Sequence, residues 1–301
     1  MIKALTATNF KGEALRMELA NPDPSGLIIK QIEGLGPPKA TINTSELATI
    51  DGSLFASSRC QNRNIVITLA MMFKPTIEDS RQKTYKYFPI KKPLILTLET
   101  DNRLTQITGY VESNEPNIFS SEEDTQISII CPDPFFYDLG SSEQVYTNIY
   151  PLFEFPFSNE SLTENLIEFS TMIEDPRAII NYIGDIDTGI EIRIHSLDTP
   201  GDITLYNVET RESFKIFNSQ VKKITGGEIG NTDDIIISTK RGNKYVKLFR
   251  KGIETNIISA VDMDADWFQL STGVNAFTFV TQKEKAKVTI NFSYRNAYGG
   301  I

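Results

Sequence analysis

His195 is the only histidine among 301 residues, so any Ser–His–Asp or Cys–His catalysis would have to pass through it. It lies in Gly189-Ile-Glu-Ile-Arg-Ile-His-Ser196, where Ile190, Ile192 and Ile194 alternate with Glu191, Arg193 and His195. A strand of this pattern turns its isoleucines inward and leaves His195 on the solvent face, which is not where a catalytic base is held. Asp262-Met-Asp-Ala-Asp266 has the alternating acids that open a calcium loop. The glycine that must follow is Trp267, however, and the glutamate due at the twelfth position is Gly273. It therefore reads as an acidic turn. Glu122-Glu123-Asp124 could supply paired carboxylates for glycoside hydrolysis, but it sits in a polar stretch typical of a hairpin tip. Gly226-Gly-Glu-Ile-Gly230 lacks the lysine and the strand-to-helix setting of a phosphate loop and reads as a turn. Asn159-Glu160-Ser161 fits a glycosylation sequon without a secretory signal to give it meaning. Trp267, the lone tryptophan, could stack on a sugar, yet Trp267-Phe268 alternating with Leu270 suits a core strand edge better. Cys60 and Cys131 are too few for a disulfide framework or a thiolate metal site and read as reduced structural thiols. No catalytic, cofactor-binding or metal-ligating set emerges.

The elements around these residues are mostly strands. Ile65, Ile67 and Leu69 share one face, as do Leu94, Leu96 and Leu98, and Ile127 and Ile129. One helix is expected over Thr76 to Phe88. Thr76 caps it, Asp79 stands three residues on, and Pro89 ends it, with Ile77, Thr84, Tyr85 and Phe88 along the inner face. Thr44 to Asn64 reads as a long exposed excursion whose apolar points, Leu47, Ile50, Leu54 and Phe55, pack against something. From about Val145, some eight short strands separated by turn residues predict an antiparallel sandwich, with Lys240-Arg-Gly-Asn-Lys244 as a hairpin turn. At Cys131-Pro132-Asp133-Pro134-Phe135-Phe136-Tyr137 the prolines stop a strand, and three aromatics demand a partner surface, as at a junction between two β domains.

Length makes two domains the expectation. Apolar content of 40% and charged content of 23% are those of a globular chain. With 39 acids against 30 bases the net charge is −9, which repels phosphate backbones and argues against electrostatic capture of nucleic acid. The opening residues are too polar for a signal peptide, and no apolar run reaches membrane-spanning length, so a soluble protein made in the cytoplasm is expected.

Several of these stretches, in this order, resemble phage distal tail proteins. Asp51-Gly52…Arg59…Arg63 entering Asn64-Ile-Val-Ile-Thr-Leu69 is similar to that family's glycine-then-arginine excursion. The single helix follows where the family places one. Pro134-Phe135-Phe136-Tyr137 resembles its proline–aromatic junction, and Trp267-Phe268-Gln-Leu270…Gly273-Val-Asn275 its late W-x-x-L-x-x-G-x-N strand and turn. Asn148 to Tyr182 matches nothing in it. The resemblance implies a mainly β chain: an N-terminal split-barrel-like domain with one helix over 1–140, and a galectin-like antiparallel β-sandwich over 141–301. The last strand, 287–301, is a candidate to return to the first domain. It further implies a non-enzymatic virion protein, a hexameric ring joining the tail tube protein to the tail-tip hub, tail fibre or receptor-binding protein around a channel for DNA. No cofactor, membrane or sequence-specific nucleic acid is implied. On this reading Leu54, Phe55, Arg59 and Arg63 form the ring interface, the arginines meeting acids of the neighbouring protomer, while Pro134, Phe135, Phe136 and Tyr137 form the domain junction. The alternative is a carbohydrate-binding β-sandwich module on a β scaffold; an enzyme acting through His195 or an acidic pair is a third.

Overall fold

The computed structural model describes residues 1–46, 51–73, 75–120, 122–147, 149–151, 170–172, 177–283 and 286–301; of 147, 149–151 and 170–172 it describes the backbone alone. Leu47 and Ile50, the Asn159 sequon and most of 148–176 lie outside the described residues. The chain is mainly β and divides into two units, Met1–Gly140 with Ala297–Ile301, and Ser141–Asn296.

In the first unit, β1 (Ile2–Thr8) and β2 (Ala14–Glu18) form a hairpin, followed by β3 (Leu27–Glu33). Then come β4 (Ala40–Glu46), β5 (Ser53–Cys60), β6 (Arg63–Met71) and α1 (Ile77–Tyr87). β7 (Pro93–Thr100), β8 (Leu104–Pro116), β9 (Asp124–Cys131) and β10 (Phe136–Asp138) complete it. The main sheet is antiparallel in the order β2-β1-β7-β8-β9-β6-β3; β10 pairs with β8 and with Ala297–Tyr298. Because alternate side chains of a strand face the same way, Ile65, Ile67 and Leu69 join Leu94, Leu96, Leu98, Ile127 and Ile129 in one buried cluster. The run Cys131-Pro132 ends β9 because neither proline can donate to the ladder, and Phe136 turns back into that same cluster, fully buried.

Helix α1 starts as the capping pattern predicts. Thr76 Oγ1 accepts from the Asp79 amide at 3.1 Å and donates to the Asp79 carboxylate at 2.7 Å. At the other end the Phe88 amide donates to Thr84 O at 2.8 Å. The inner face differs from expectation in two residues, gaining Ser80 and losing Tyr85. Ser80 and Thr84 are buried and Ile77 packs on the core, whereas Tyr85 is exposed, since it stands one position, about 100°, round from Thr84.

Close packing across the sheet is set by Gly109 on β8. A Cβ there would stand 2.6 Å from Ile129 Cγ2 and 2.8 Å from Cys131 Sγ, both on the neighbouring strand. Gly109→Ala is therefore expected to destabilise the first unit by about 2 kcal/mol through overpacking, read as a lower urea midpoint at unchanged slope.

The second unit opens with β11 (Ser142–Thr147), β12 (Ile149–Pro151), β13 (Ser170–Met172) and β14 (Ala178–Tyr182). β15 (Thr188–Gly189), β16 (Glu191–Ser196), β17 (Ile203–Asn207) and β18 (Glu212–Ile216) lead to α2 (Asn218–Thr225). β19 (Asp234–Ser238), β20 (Tyr245–Arg250), β21 (Ile253–Asn256), β22 (Gln269–Leu270), β23 (Gly273–Thr281) and β24 (Val288–Tyr294) follow. A six-stranded antiparallel sheet, β11-β24-β16-β19-β20-β21, and a four-stranded one, β14-β23-β17-β18, face a common core. Ile192, Ile194, Ile237 and Phe292 enter it from the first sheet, and Ile180, Leu205, Phe214 and Phe277 from the second. The Phe277 and Phe292 rings stack across the gap with centroids 5.0 Å apart. This is a β-sandwich. Strand β24 pairs with β11 and β16 inside it, and only Ala297–Ile301 lie with the first unit.

Candidate assembly surface

The residues singled out for chemistry are not brought together. His195 is on the open face of β16, as its alternation predicts, and its Nδ1 lies 2.8 Å from Asp234 Oδ1. Arg193 Nη2 donates to the other oxygen of Asp234 at 2.8 Å. Burial raises the Asp234 pKa, but the hydrogen bonds from Arg193 and His195 outweigh it and hold the group below its ordinary 3.8. Its contribution to stability is thus present at neutral pH and lost as the pH falls below 3.8 through the lower folded-state value. Asp234→Asn is expected to cost about 1 kcal/mol at pH 7 and progressively less as the pH is lowered below 3.8, checked by urea unfolding across that range. Asp262-Met-Asp-Ala-Asp266 is the expected acidic turn: Asp262 accepts from the Ala265 and Asp264 amides, and Asp266 Oδ2 accepts from the Ser213 amide at 3.1 Å. Among the described residues no group of histidine, cysteine, aspartate and glutamate could hold a metal ion. Trp267 packs edge-on against Phe214 at 5.3 Å, with Lys244 Nζ 5.1 Å from its ring centroid.

The feature that stands out is β4 with β5. The excursion expected over Thr44 to Asn64 is a paired hairpin, not a loop, and among the described residues these two strands form a ladder with each other alone. All of β5 is exposed, as is nearly all of β4, with Ile42 at 63%, Leu54 at 56% and Phe55 at 66%. Register sorts them by face. Thr44 pairs with Phe55, Ser45 with Leu54 and Thr41 with Arg59, with Ala56 bulged out. Ile42, Thr44 and Phe55 therefore lie on one face, and Leu54 and Arg59 on the other. Leu54 and Phe55, expected to pack together at one seam, point opposite ways, and Ile42 is the apolar partner of Phe55 that the sequence reading missed.

Arg63 departs from expectation. It is buried, and its guanidinium donates to four backbone carbonyls of its own unit and, among the described residues, to no carboxylate. Nε reaches Pro134 O at 2.6 Å, Nη2 reaches Gly299 O at 2.6 Å, and Nη1 serves Gly34 O and Gly36 O. The cation lies 4.5 Å over the Phe136 ring. Loss of hydration lowers its pKa, and the carbonyl cage replaces the lost water. Arg63 thus binds the root of the hairpin, the Pro134 turn and the chain's last residues into one body. Phe135 and Phe136 are buried beside it, and Tyr137 donates to Asp133 Oδ2 at 2.8 Å.

The two thiols have opposite settings. Burial pushes Cys131 up to about 12, while Cys60 is exposed on the hairpin. One equivalent of maleimide at pH 7.5 is expected to label the folded chain, at Cys60 alone, with a second taken up only in denaturant; mass spectrometry of peptides reads both.

Comparison with known proteins fits this architecture. Residues 196–298 match the family described as siphovirus-type tail component, C-terminal domain (SPP1_Dit). No curated protein matches the sequence. Among solved structures, the chain is similar to the SPP1 Dit (gp 19.1) protein, described as a paradigm of the hub adsorption apparatus in phages infecting Gram-positive bacteria. The TM-score is 0.63 at 13% identity, over 97% of this chain and 99% of that one. A chain of the phage P2 baseplate in its activated conformation with Ca gives a TM-score of 0.45 at 10% identity, over 97% of this chain and 98% of that one. Residues 196–298 are thus those of a siphovirus-type tail component C-terminal domain by their family match, and over nearly its whole length the chain shares the fold of the SPP1 Dit protein.

Proposed function

We propose that the chain is the hub at the end of a phage tail. Six copies form a closed ring through the first unit, the ring joins the tail tube to the tail-tip or receptor-binding proteins, and its opening passes DNA. The observation that carries the reading is the β4–β5 hairpin. Two strands with both faces in water are at best marginally stable, and an exposed Ile–Phe face on them marks a contact surface. A ring supplies the missing cover through a heterologous contact whose rotation returns on itself. Mechanism here is geometry: Arg63 fixes the angle at which the hairpin leaves the body, and that angle sets where the next copy docks. A net charge of −9 suits a channel whose cargo must not stick. The sandwich of the second unit is the platform for the receptor-binding apparatus. The test is immunogold labelling of intact virions with antibody against this chain. Gold confined to the tail's far end supports the reading, whereas gold on the capsid or along the tube overturns it.

A further inference from the structure

We propose that the Ile42–Phe55 face of one copy's hairpin seats on Phe73, Ile118 and Phe119 of the next copy; this rests on the ring reading above. Within the first unit three phenylalanines are more than half exposed, Phe55 at 66%, Phe73 at 77% and Phe119 at 96%, and burying such rings is the strongest drive to association the unit offers. They lie at opposite ends of the same strands. The hairpin leaves at the start of β6, where Gln61 N donates to Lys39 O at 2.9 Å and Arg63 is caged. Phe73 lies just past the other end of β6, roughly 26 Å away at 3.3 Å per residue. The β8–β9 turn reaches that same end: Ala70 pairs with Asp124, Met71 N donates to Glu123 O at 3.0 Å and Asn117 N to Asp124 O at 2.8 Å, which places Ile118 and Phe119 at the same end of the sheet as Phe73.

A cyclic ring needs two different patches on each chain, whereas a two-fold dimer would use one patch twice. The first unit has such a pair: an apolar face on a projecting arm, and an apolar cluster at the far end of the sheet that roots the arm. The experiment uses the full chain carrying Cys60→Ser, with Thr44→Cys on the hairpin face, Ser120→Cys beside the cluster, or Lys11→Cys in the β1–β2 turn as control. These positions border the contact without supplying its rings, and circular dichroism melts confirm that each variant folds. Separately purified T44C and S120C chains are mixed and treated with a short bis-maleimide. Two-chain product is expected at least tenfold above that from T44C with K11C, and the T44C/S120C double variant is expected to give a ladder of linked chains. A ring by light scattering in which T44C and S120C do not link overturns the pairing and leaves the ring standing. Efficient linking of T44C to itself overturns the head-to-tail arrangement. A chain that is monomeric throughout overturns the ring and the pairing with it.

Discussion

Arg63→Ala is expected to unfold the first unit well ahead of the second, with a loss of about 4 kcal/mol. The variant strands four carbonyls, of Gly34, Gly36, Pro134 and Gly299, that the guanidinium serves in a buried site. A buried acceptor without a donor costs about 1–3 kcal/mol, and water entering the space recovers part of that. The loss also frees the face of Phe136 and leaves the last residues without their strongest tie. Against a typical domain stability of about 5–15 kcal/mol this is a large fraction. Arg63→Lys is expected to recover less than half, because an ammonium has three donors at one point and no plane to lie on a ring. Trp267, the lone tryptophan, belongs to the second unit, so its fluorescence reports that unit alone while far-ultraviolet circular dichroism reports both. In the variant the early dichroism transition moves to lower urea and the tryptophan transition stays. Curves superimposing on those of the parent would show that the cage contributes nothing.

Ile42→Asp with Phe55→Asp is expected to do the opposite: abolish self-association and leave stability unchanged. Neither side chain touches the core, and both are more than half exposed, so a lone chain loses nothing when they become charged. At a seam each carboxylate would be desolvated against a neighbour's apolar surface, while the lost aromatic anchor removes about 2 kcal/mol or more. That weakens each contact at least roughly 30-fold, and a ring multiplies the effect over its contacts. Sedimentation velocity of parent and variant at equal concentration reads the change, and matching urea midpoints exclude misfolding. A variant that sediments with the parent would place the seam elsewhere.

Much of the fold was legible because alternation is a local signal: Ile65, Ile67 and Leu69, or Ile192 and Ile194, announce their faces without knowledge of partners. The cap of α1 was legible for the same reason, since Thr76 and Asp79 meet within one turn. Helix α2 was not. Its cap, Phe217, makes no side-chain capping bond, and only Gly226 at φ 76° marks its end, so a glycine pair that read as a turn was a helix stop. The hairpin read as a loop because its strands are polar on both faces but for Ile42, Leu54 and Phe55, and such strands carry no period. Arg63 was noticed, but its partners are backbone carbonyls from 27 to 236 positions away, and a carbonyl has no letter in a sequence. Its neighbour Phe136 was legible by type, as an aromatic that needed a surface, though the surface it found was its own unit's core.

The most direct test of self-assembly is the molar mass of the purified full chain by size exclusion with light scattering, with negative-stain images of the same peak. A particle of about six times the 33.8 kDa of one chain, ring-shaped with an open centre, is the expected result. A peak that stays at the mass of one chain up to the highest soluble concentration, with no rings on the grid, would contradict it.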